Sequence, residues 1–277
     1  MSSICVHGLG YIGLPTAAML ATHGHDVYGY DTDPVRVAEL GDGDVQLDEP
    51  GLEAFLVRAL ESGQLQIVNE VAAATYHVIC VPTPFDEDRR QANLEYVAAA
   101  ARTVGSVLRE GDTVVLESTV PPGTTESHVR PTLEAESGLT AGRDFGLAHC
   151  PETVLPGNLI AELRENDRIV GGIDEGSAKA AVRLYDSFVE GEIRTAADPT
   201  TAEFVKLIQN TARDVEIALA NEIARIAHDY GIGSREAIAM ANAHPRVDIL
   251  EPGPGVGGHC LPIDPWFLGV GSDSLDL

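Results

Sequence analysis

The chain has 277 residues, of which 43 are Asp or Glu and 18 are Lys or Arg, so its formal net charge at pH 7 is −25. This length exceeds one typical domain, and the charge disfavours binding to nucleic acid or to an anionic membrane surface. No apolar run approaches the roughly 20 residues that cross a bilayer, and we expect no secretory leader at the start. The composition predicts an acidic protein with more than one structural unit and no membrane partner.

Cysteine usage indicates a reducing compartment. The four cysteines are scattered along the chain without a Cys-x-x-Cys pair, at Cys5, Cys80, Cys150 and Cys260. This spacing argues against a zinc cluster and for free thiols in a cytoplasmic protein. We accordingly expect no bound metal.

The basic residues are almost all arginines. Lys179 and Lys206 are the two lysines of the sequence. An acid excess in which arginine replaces lysine and aromatic residues are few resembles the proteins of a halophilic archaeon, whose dense salt screens self-repulsion. An ordinary acidic enzyme is the alternative. In either case, a lysine retained in this chain calls for an explanation.

A glycine fingerprint lies near the start. An apolar strand is predicted over Ser3–His7, and a helix over residues 14–22. Between them, Gly8, Gly10 and Gly13 follow the pattern Gly-x-Gly-x-x-Gly. In this pattern the first glycine makes the turn, the second admits a pyrophosphate, and the third lets helix and strand touch. The pattern predicts a dinucleotide site.

An acidic residue specifies the dinucleotide. A second strand is predicted over Asp26–Tyr30, and it ends at Asp31. At this distance from the glycines an acid binds the ribose hydroxyls and repels a 2′-phosphate. The cofactor predicted here is therefore NAD rather than NADP.

Strands and helices alternate through the next part of the chain. Helices are predicted at 34–40, 52–62, 93–108 and 177–188, and strands at 65–68, 78–81, 113–116, 145–150 and 168–172. Proline-stopped loops at 82–84, 117–125 and 151–157 follow three of these strands, at the edge where open α/β sheets bind ligands. We expect an α/β fold in which a Rossmann-type, doubly wound parallel sheet spans residues 1–197.

The composition changes near Asp198. Asp198 can cap a helix, Pro199 suits the first helical position, and the pattern stays helical to about Gly231. This length, about 48 Å at 1.5 Å per residue, suits a spine that joins domains or lines a dimer interface. With a further helix at 234–242, residues 198–277 are predicted to form a central helical domain that supports a homodimer.

Two groups of residues have the chemistry of a catalytic site. Cys260 lies in a glycine-rich loop four residues before Asp264, and a thiol can add to an aldehyde and hold it covalently. Lys206 and Asn210 lie four residues apart on one face of the long helix, where a cation and an amide could grip one oxygen. The alternatives are a buried structural cysteine and a solvated lysine.

Several motifs together resemble the nucleotide-sugar 6-dehydrogenases, that is, the UDP-glucose, UDP-N-acetylmannosamine and GDP-mannose dehydrogenases. The motifs are GLGYIGLP at 8–15, VPTP at 81–84, ESTVPPGTT at 117–125, Lys-x-x-x-Asn at 206–210 and GGHCLPIDPWF at 257–267. The resemblance covers essentially the whole chain in the family's order. It implies NAD-dependent oxidation of the C6 alcohol of a sugar to a carboxylate, with two NAD per turnover and thiohemiacetal and thioester intermediates.

The resemblance also implies roles for individual residues. Cys260 would be the nucleophile, and Lys206 and Asn210 would steady the oxyanion. Asp264 would assist the base chemistry, while Thr119 and Glu152 would position catalytic water and substrate. The residues expected to contact NAD are Gly8, Gly10, Tyr11, Ile12, Gly13, Asp31, Arg36, Pro82, Thr83 and Thr119. The residues expected to contact substrate are Glu152, Lys206, Asn210, Arg213, Arg246 and Gly257.

Departures from the UDP-glucose pattern bear on the substrate. Pro156 stands where the glucose enzymes have a second glutamate, and the segments at 210–215 and 244–247 resemble the branch acting on UDP-N-acetylhexosamines. UDP-N-acetyl-D-mannosamine is the leading candidate, with a role in polysaccharide biosynthesis. Arg246 would suit a diphosphate or sugar contact, and a surface arginine is the alternative.

Family members continue beyond the cysteine loop into a C-terminal UDP-binding domain. We expect this domain to be absent here, so the chain alone could be inactive. The alternatives are a β-hydroxyacid dehydrogenase, which needs no cysteine, and a truncated, non-catalytic NAD-binding dimerisation module.

Overall fold

A computed structural model describes residues 2–45, 47–258 and 260–272. The chain divides into two compact units, Met1–Lys206 and Leu207–Leu277. Met1 and residues 273–277, at the ends of the two predicted domains, lie outside the described residues. None of the described helices is both long and apolar enough to span a bilayer.

The first unit alternates strands and helices. Its described strands are β1 (Ser3–His7), β2 (Asp26–Tyr30), β3 (Leu65–Val68), β4 (Tyr76–Ile79), β5 (Phe85–Asp86), β6 (Gln91–Ala92), β7 (Thr113–Leu116), β8 (Gly146–His149), β9 (Arg168–Gly172) and β10 (Ile193–Thr195). Its helices are α1 (Gly13–Thr22), α2 (Pro34–Gly41), α3 (Leu52–Glu61), α4 (Glu95–Gly105), α5 (Arg130–Ser137), α6 (Leu159–Glu165) and α7 (Glu175–Tyr185), and a π-helical segment, Thr125–Val129, leads into α5. The α/β prediction is confirmed.

Eight of the strands form one sheet in the order β10-β9-β8-β7-β4-β1-β2-β3. The predicted parallel sheet is confirmed, with one exception among its neighbouring strands: β8 and β9 run antiparallel. The strand order reverses beside β1 and β4, where doubly wound sheets bind ligands. Strands β5 and β6 form a separate antiparallel hairpin.

Helices cover both faces of the sheet. The central strands β4 and β7 are buried along their whole length, as expected of parallel strands covered on both faces. One core cluster includes residues of α1, α3, α6 and α7, with Leu14, Leu56 and Leu184 among its members. The other includes residues of α4 and α5, such as Val104 and Leu133.

The structure shifts or adds several elements. Strand β4 begins at Tyr76, two residues before the strand predicted at 78–81, because the polar His77 interrupts the apolar run by which the strand was recognised. Strand β10 follows β9, so β9 is not the last strand of the sheet. Helix α5 was not predicted because Pro131 interrupts the helical sequence pattern. Proline is nevertheless tolerated in the first turn of a helix.

The long helix, α8, runs over Pro199–Asp229. The Thr201 N–H donates to the Asp198 carboxylate at 2.7 Å, which confirms the expected cap. Beyond the helix, Gly231 adopts a φ of +67°. The second unit continues with α9 (Ser234–Ala241) and α10 (Asp264–Gly269), and α10 was not predicted.

Candidate functional site

The glycine loop between β1 and α1 is shaped by close backbone contacts. Gly8 has a φ of +91°, and a Cβ on it would lie 2.7 Å from the Cys80 carbonyl oxygen. A Cβ on Gly13, the first residue of α1, would lie 1.8 Å from the Gly8 carbonyl oxygen. At Gly10 a Cβ would meet no described atom within 4 Å. The loop therefore combines two positions that only glycine fits with one position that is open to a phosphate.

Tyr11 and Ile12 complete this loop. Ile12 is the N-cap residue of α1, and its side chain makes no capping hydrogen bond that would compete with an anion. The Tyr11 hydroxyl donates to the Glu49 carboxylate, and the same carboxylate oxygen accepts the Gly157 N–H at 2.8 Å. Tyr11 is thereby linked to the loop that follows β8.

Asp31 lies at the carboxyl end of β2 and is buried, with 7% of its surface exposed. Its carboxylate accepts the Leu9 N–H at 2.8 Å and the Asp33 N–H at 3.0 Å. Arg36 pairs with the same carboxylate at 3.4 Å, and its own side chain remains 47% exposed. The two backbone bonds fix Asp31 next to the glycine loop, where an acid would reach the ribose of a dinucleotide.

The loops after β4 and β7 are joined to each other. The Thr83 hydroxyl donates to the Thr119 carbonyl oxygen at 2.8 Å, and the Ser118 hydroxyl donates to the Val81 carbonyl oxygen at 2.7 Å. Thr83 and Thr119 are half-buried and Pro82 is exposed. The structure thus brings together the sequence-predicted residues of these two loops on the carboxyl edge of the sheet.

Glu152 follows β8 and is 8% exposed. The pKa of Glu152 is raised to about 7, mainly by burial and in smaller part by the nearby Glu117, while the charges of Arg168 and Lys206 act in the opposite direction. The Val154 N–H donates to the Glu152 carboxylate. Two residues predicted separately from the sequence, Glu152 and Lys206, therefore influence one another electrostatically in the first unit.

A buried ion pair next to Glu152 was missed by the sequence reasoning. The Arg168 guanidinium lies 2.9 Å from Glu117, and their side chains are 4% and 0% exposed. The Cys80 thiol donates to the other Glu117 oxygen at 3.0 Å, and the guanidinium lies over the Tyr185 ring at 4.8 Å. An arginine at the start of a strand is no signal by itself, because the sequence does not reveal its partner.

Glu203 is a second missed residue. It lies in α8 and is 1% exposed. Its carboxylate accepts the Gly123 N–H at 2.5 Å, the Thr125 N–H at 2.8 Å and the Thr125 hydroxyl at 2.6 Å. Glu203 therefore holds the loop that carries Thr119. Its only signal in the sequence was an acidic residue within an otherwise apolar stretch.

The second unit contains the cysteine loop. Asn210 donates to the Asp264 carboxylate at 2.6 Å, and Asp264 is 3% exposed. The Cys260 carbonyl oxygen accepts the N–H groups of Ile263 and Asp264 at 3.0 and 2.9 Å, so the turn into α10 is closed on this residue. Cys260 itself is exposed, just after Gly258 with its φ of +88°. The structure brings together three sequence-predicted residues: Asn210, Cys260 and Asp264.

The remaining predicted substrate residues of this unit are exposed. Arg213 lies in α8 and pairs with Glu216 at 3.7 Å. Arg246 lies in a loop whose ends are joined by the Asn242 side chain, which bonds the backbone of Ile249 twice at 2.8 Å. A Cβ at Gly257 would meet no described atom within 4 Å. These residues are accessible to a ligand, and they are not assembled around a closed cavity of their own.

Comparison with protein-family models identifies the chain. The model for the UDP-glucose/GDP-mannose dehydrogenase family, NAD binding domain, matches residues 2–189, and the model for the central domain of this family matches residues 200–276. The chain belongs to the UDP-glucose/GDP-mannose dehydrogenase family. This confirms the family expected from the motifs, and the cofactor of its N-terminal domain is NAD.

Curated relatives are similar to this chain over nearly its whole length. The UDP-N-acetyl-D-mannosamine dehydrogenase of Methanococcus maripaludis is 47% identical over 271 residues, which are 97% of this chain and 61% of the relative. The NDP-N-acetyl-D-galactosaminuronic acid dehydrogenase of Ralstonia nicotianae is 46% identical over 96% of this chain and 64% of the relative. The present chain thus spans less than two thirds of the length of either relative.

Comparison with solved structures agrees with this family assignment. The UDP-D-ManNAc dehydrogenase of Pyrococcus horikoshii has a TM-score of 0.93 and 46% identity, and the match covers 98% of this chain and 65% of that one. The 3-hydroxyisobutyrate dehydrogenase of Mycobacterium tuberculosis reaches a TM-score of 0.66 over 92% of this chain and 77% of that one at 18% identity, which shows the fold alone.

Two glycine variants separate packing from cofactor binding. Gly13→Ala introduces a Cβ against the Gly8 carbonyl, so we expect it to lower the free energy of unfolding by more than about 3 kcal/mol. Gly10→Ala has space for the methyl group but narrows the phosphate approach, so we expect unfolding within about 1 kcal/mol of the parent and NAD affinity at least about 10-fold weaker. Urea denaturation and NAD titration measure both effects, and unchanged NAD affinity in Gly10→Ala would contradict this assignment.

The raised pKa of Glu152 predicts a pH-dependent stability. Because the folded pKa, about 7, exceeds the ordinary value of 4.5, the folded state holds the proton more tightly. The resulting stabilisation is complete below about pH 4.5 and is lost as the pH rises through 7, a change of about 3 kcal/mol. We therefore expect the free energy of unfolding to fall less over this range in Glu152→Gln than in the parent. Parallel pH profiles of the two proteins would refute this.

Proposed function

We propose that the protein is an NAD-dependent nucleotide-sugar 6-dehydrogenase that oxidises the C6 alcohol of a UDP-sugar to the acid, with UDP-N-acetyl-D-mannosamine as the leading substrate. The observation that carries the proposal is its 47% identity, over 97% of its length, to a UDP-N-acetyl-D-mannosamine dehydrogenase. The exposed Cys260 next to the Asn210–Asp264 pair supports a covalent route. The β-hydroxyacid alternative has the support of fold likeness alone.

The residues of the first unit fit the cofactor. The open space at Gly10 and the uncapped start of α1 suit a pyrophosphate, and the fixed Asp31 carboxylate suits two ribose hydroxyls. The same carboxylate would repel a 2′-phosphate, which favours NAD over NADP. Bound NAD supplies the hydride acceptor for both oxidation steps.

Cys260 would carry the substrate between the two oxidations. Loss of a hydride and a proton from the C6 alcohol gives an aldehyde, to which the Cys260 thiolate adds. The thiohemiacetal then loses a second hydride and a proton to give a thioester, and water releases the carboxylate and the thiol. Lys206 and Asn210 would donate to the tetrahedral oxyanion, a contribution typically worth about 3 kcal/mol per donor.

Asp264, Glu152 and Thr119 would serve the proton transfers. The Asn210–Asp264 bond orients an amide and a carboxylate together, so Asn210 is held for its role by the residue that assists the base chemistry. A carboxyl with a pKa of about 7 exists in both protonation states near neutral pH, which suits Glu152 to accept a proton from the attacking water. Thr119 would position that water.

Substrate contacts would come from the second unit as well. The exposed Arg246 and Arg213 could bind the diphosphate or the sugar, and Gly257 leaves room for a ligand next to the backbone. Pro156 removes the second glutamate of the glucose pattern, which supports a site shaped for an N-acetylhexosamine.

A homodimer through α8 completes the proposal. Exposed apolar side chains recur along this helix at spacings of seven and four residues, at Ile208, Val215, Leu219 and Ile226, and Tyr230 continues the pattern just beyond the last helical residue. At 3.6 residues per turn these positions form one apolar stripe along the helix. The stripe remains in contact with water unless a partner covers it. A second copy of the chain offers a matching stripe.

The biological setting is also a proposal. The net charge of −25 with two lysines supports an origin in a halophilic archaeon. A nucleotide-sugar dehydrogenase of the cytoplasm would supply uronic acids for polysaccharide biosynthesis. In this reading, residues 1–197 bind NAD and 198–277 carry the dimer contact and the cysteine loop.

Cofactor stoichiometry tests the covalent route. With UDP-N-acetyl-D-mannosamine and NAD we expect two NADH and one acid per sugar. Cys260→Ser should yield no acid, because a serine alkoxide is a poorer leaving group than a cysteine thiolate. Cys150→Ala removes a buried thiol outside the cysteine loop and should keep the parent's stoichiometry. NADH production by the parent with no dependence on Cys260 would refute the route, and tight NAD binding with no NADH from any UDP-sugar would favour the dimerisation module.

The dimer is tested on the apolar stripe. Leu219→Glu puts a charge in the middle of the stripe, so we expect a dimeric parent to become monomeric by light scattering after gel filtration. His228→Glu adds the same charge nine residues away, half a helical turn round α8, and should remain dimeric. A monomeric parent, or equal effects of the two variants, would rule out this interface.

A further inference from the structure

Three metal-ligating side chains converge in the sheet just before the glycine loop. Cys5 and His7 are two residues apart on β1 and so face the same side of the sheet. His77 on β4 is the register partner of Cys5. One ligand atom from each side chain lies within 4.8 Å of the other two, and the three residues are at most 1% exposed.

Hydrogen bonding within this Cys5–His7–His77 cluster leaves it incompletely satisfied. The His7 Nε2 and His77 Nδ1 atoms are 3.1 Å apart, and one proton between them can satisfy both. The other ring nitrogens, His7 Nδ1 and His77 Nε2, have no hydrogen-bond partner among the described residues. These two nitrogens do not face each other across the 3.1 Å contact, so the case for a bound ion depends on the spacing of the converging ligand atoms.

The spacing and chemistry of the cluster suit a zinc ion. Two nitrogens bound to one tetrahedral Zn²⁺ at 2.0–2.1 Å lie roughly 3.3 Å apart, close to the observed separation. Thiolate and imidazole are the ligands of structural zinc sites, and borderline-soft divalent ions prefer them to oxygen.

We propose that Cys5, His7 and His77 bind one Zn²⁺ as a structural link between β1 and β4. The Cys5 thiol would release its proton on binding, and no oxidation or reduction takes place. This site goes beyond the proposed dehydrogenase activity and does not depend on it.

The position of the cluster indicates what the ion would do. β1 and β4 are neighbours where the strand order reverses, and His7 immediately precedes Gly8. The chain after β4 supplies the Cys80 carbonyl against which Gly8 is packed. An ion joining the two strands would therefore stabilise the base of the NAD loop without touching the reacting atoms, and its effect would be on folding stability rather than on the chemical step.

Metal content tests the proposal on the purified chain. Because the site is buried, the protein is expressed in medium supplemented with Zn²⁺, treated with a chelator to remove surface ions, and analysed by mass spectrometry of the metal. We expect one zinc per chain in the parent and in Cys260→Ser, and a loss of most of it in Cys5→Val and His77→Val. Cys150→Ala is the matched control, since it removes a buried thiol outside the cluster, and it should retain the ion.

A spectroscopic measurement covers the case in which these variants fold poorly. Cys260→Ser grown with Co²⁺ should show the absorption of a thiolate–cobalt bond and of tetrahedral cobalt, and its unfolding temperature should fall when the metal is stripped by unfolding and refolding with chelator. Adding Cys5→Val should abolish the thiolate band. A parent free of zinc, a metal content unaffected by Cys5→Val, or cobalt protein without the thiolate band would overturn the proposal.

Discussion

The carboxyl edge of the sheet depends on the buried ion pair between Arg168 and Glu117. Removing one partner of a buried pair typically costs 3–5 kcal/mol, since the other charge is left without compensation. Here the pair joins the end of β7 to the start of β9, and the Cys80 thiol after β4 bonds the same carboxylate. The pair therefore ties together the segments after β4 and β7 and before β9, in addition to the hydrogen bonds of Thr83, Ser118 and Glu203.

The ion pair also sets the electrostatics of Glu152. A carboxyl as buried as Glu152 would strongly prefer its neutral form, and the negative Glu117 adds to that preference. Arg168 and Lys206 act in the opposite direction, and the outcome is a pKa of about 7. The half-buried Lys206 ammonium is a compact point charge near Glu152, unlike the planar guanidinium that supplies most of the positive charges of the chain.

The sequence predicted the site where chemistry follows from local pattern. Gly8, Gly10 and Gly13 were recognised because their roles depend on the backbone of one turn, and Asp31 because it ends the next strand. Asn210 and Asp264 were predicted as separate residues, and the 2.6 Å bond between them is a long-range fact that only folding reveals. Arg168 and Glu203 were missed for the same reason, since the meaning of a buried charge lies in a partner distant in sequence. Strand β10 was missed because Ile193–Thr195 is too short to show periodicity.

The cysteine loop places an exposed cysteine beside a preformed amide–carboxylate pair. The Cys260 backbone carbonyl accepts the N–H groups that close the turn into α10, which fixes this residue at the start of that helix. The Asn210 amide donates one N–H to the Asp264 carboxylate, and an amide group has a second N–H to offer. Asp264 thereby orients the amide within the folded chain. In the proposed covalent route, this preorganised amide would stabilise the tetrahedral intermediate without further ordering of the side chain.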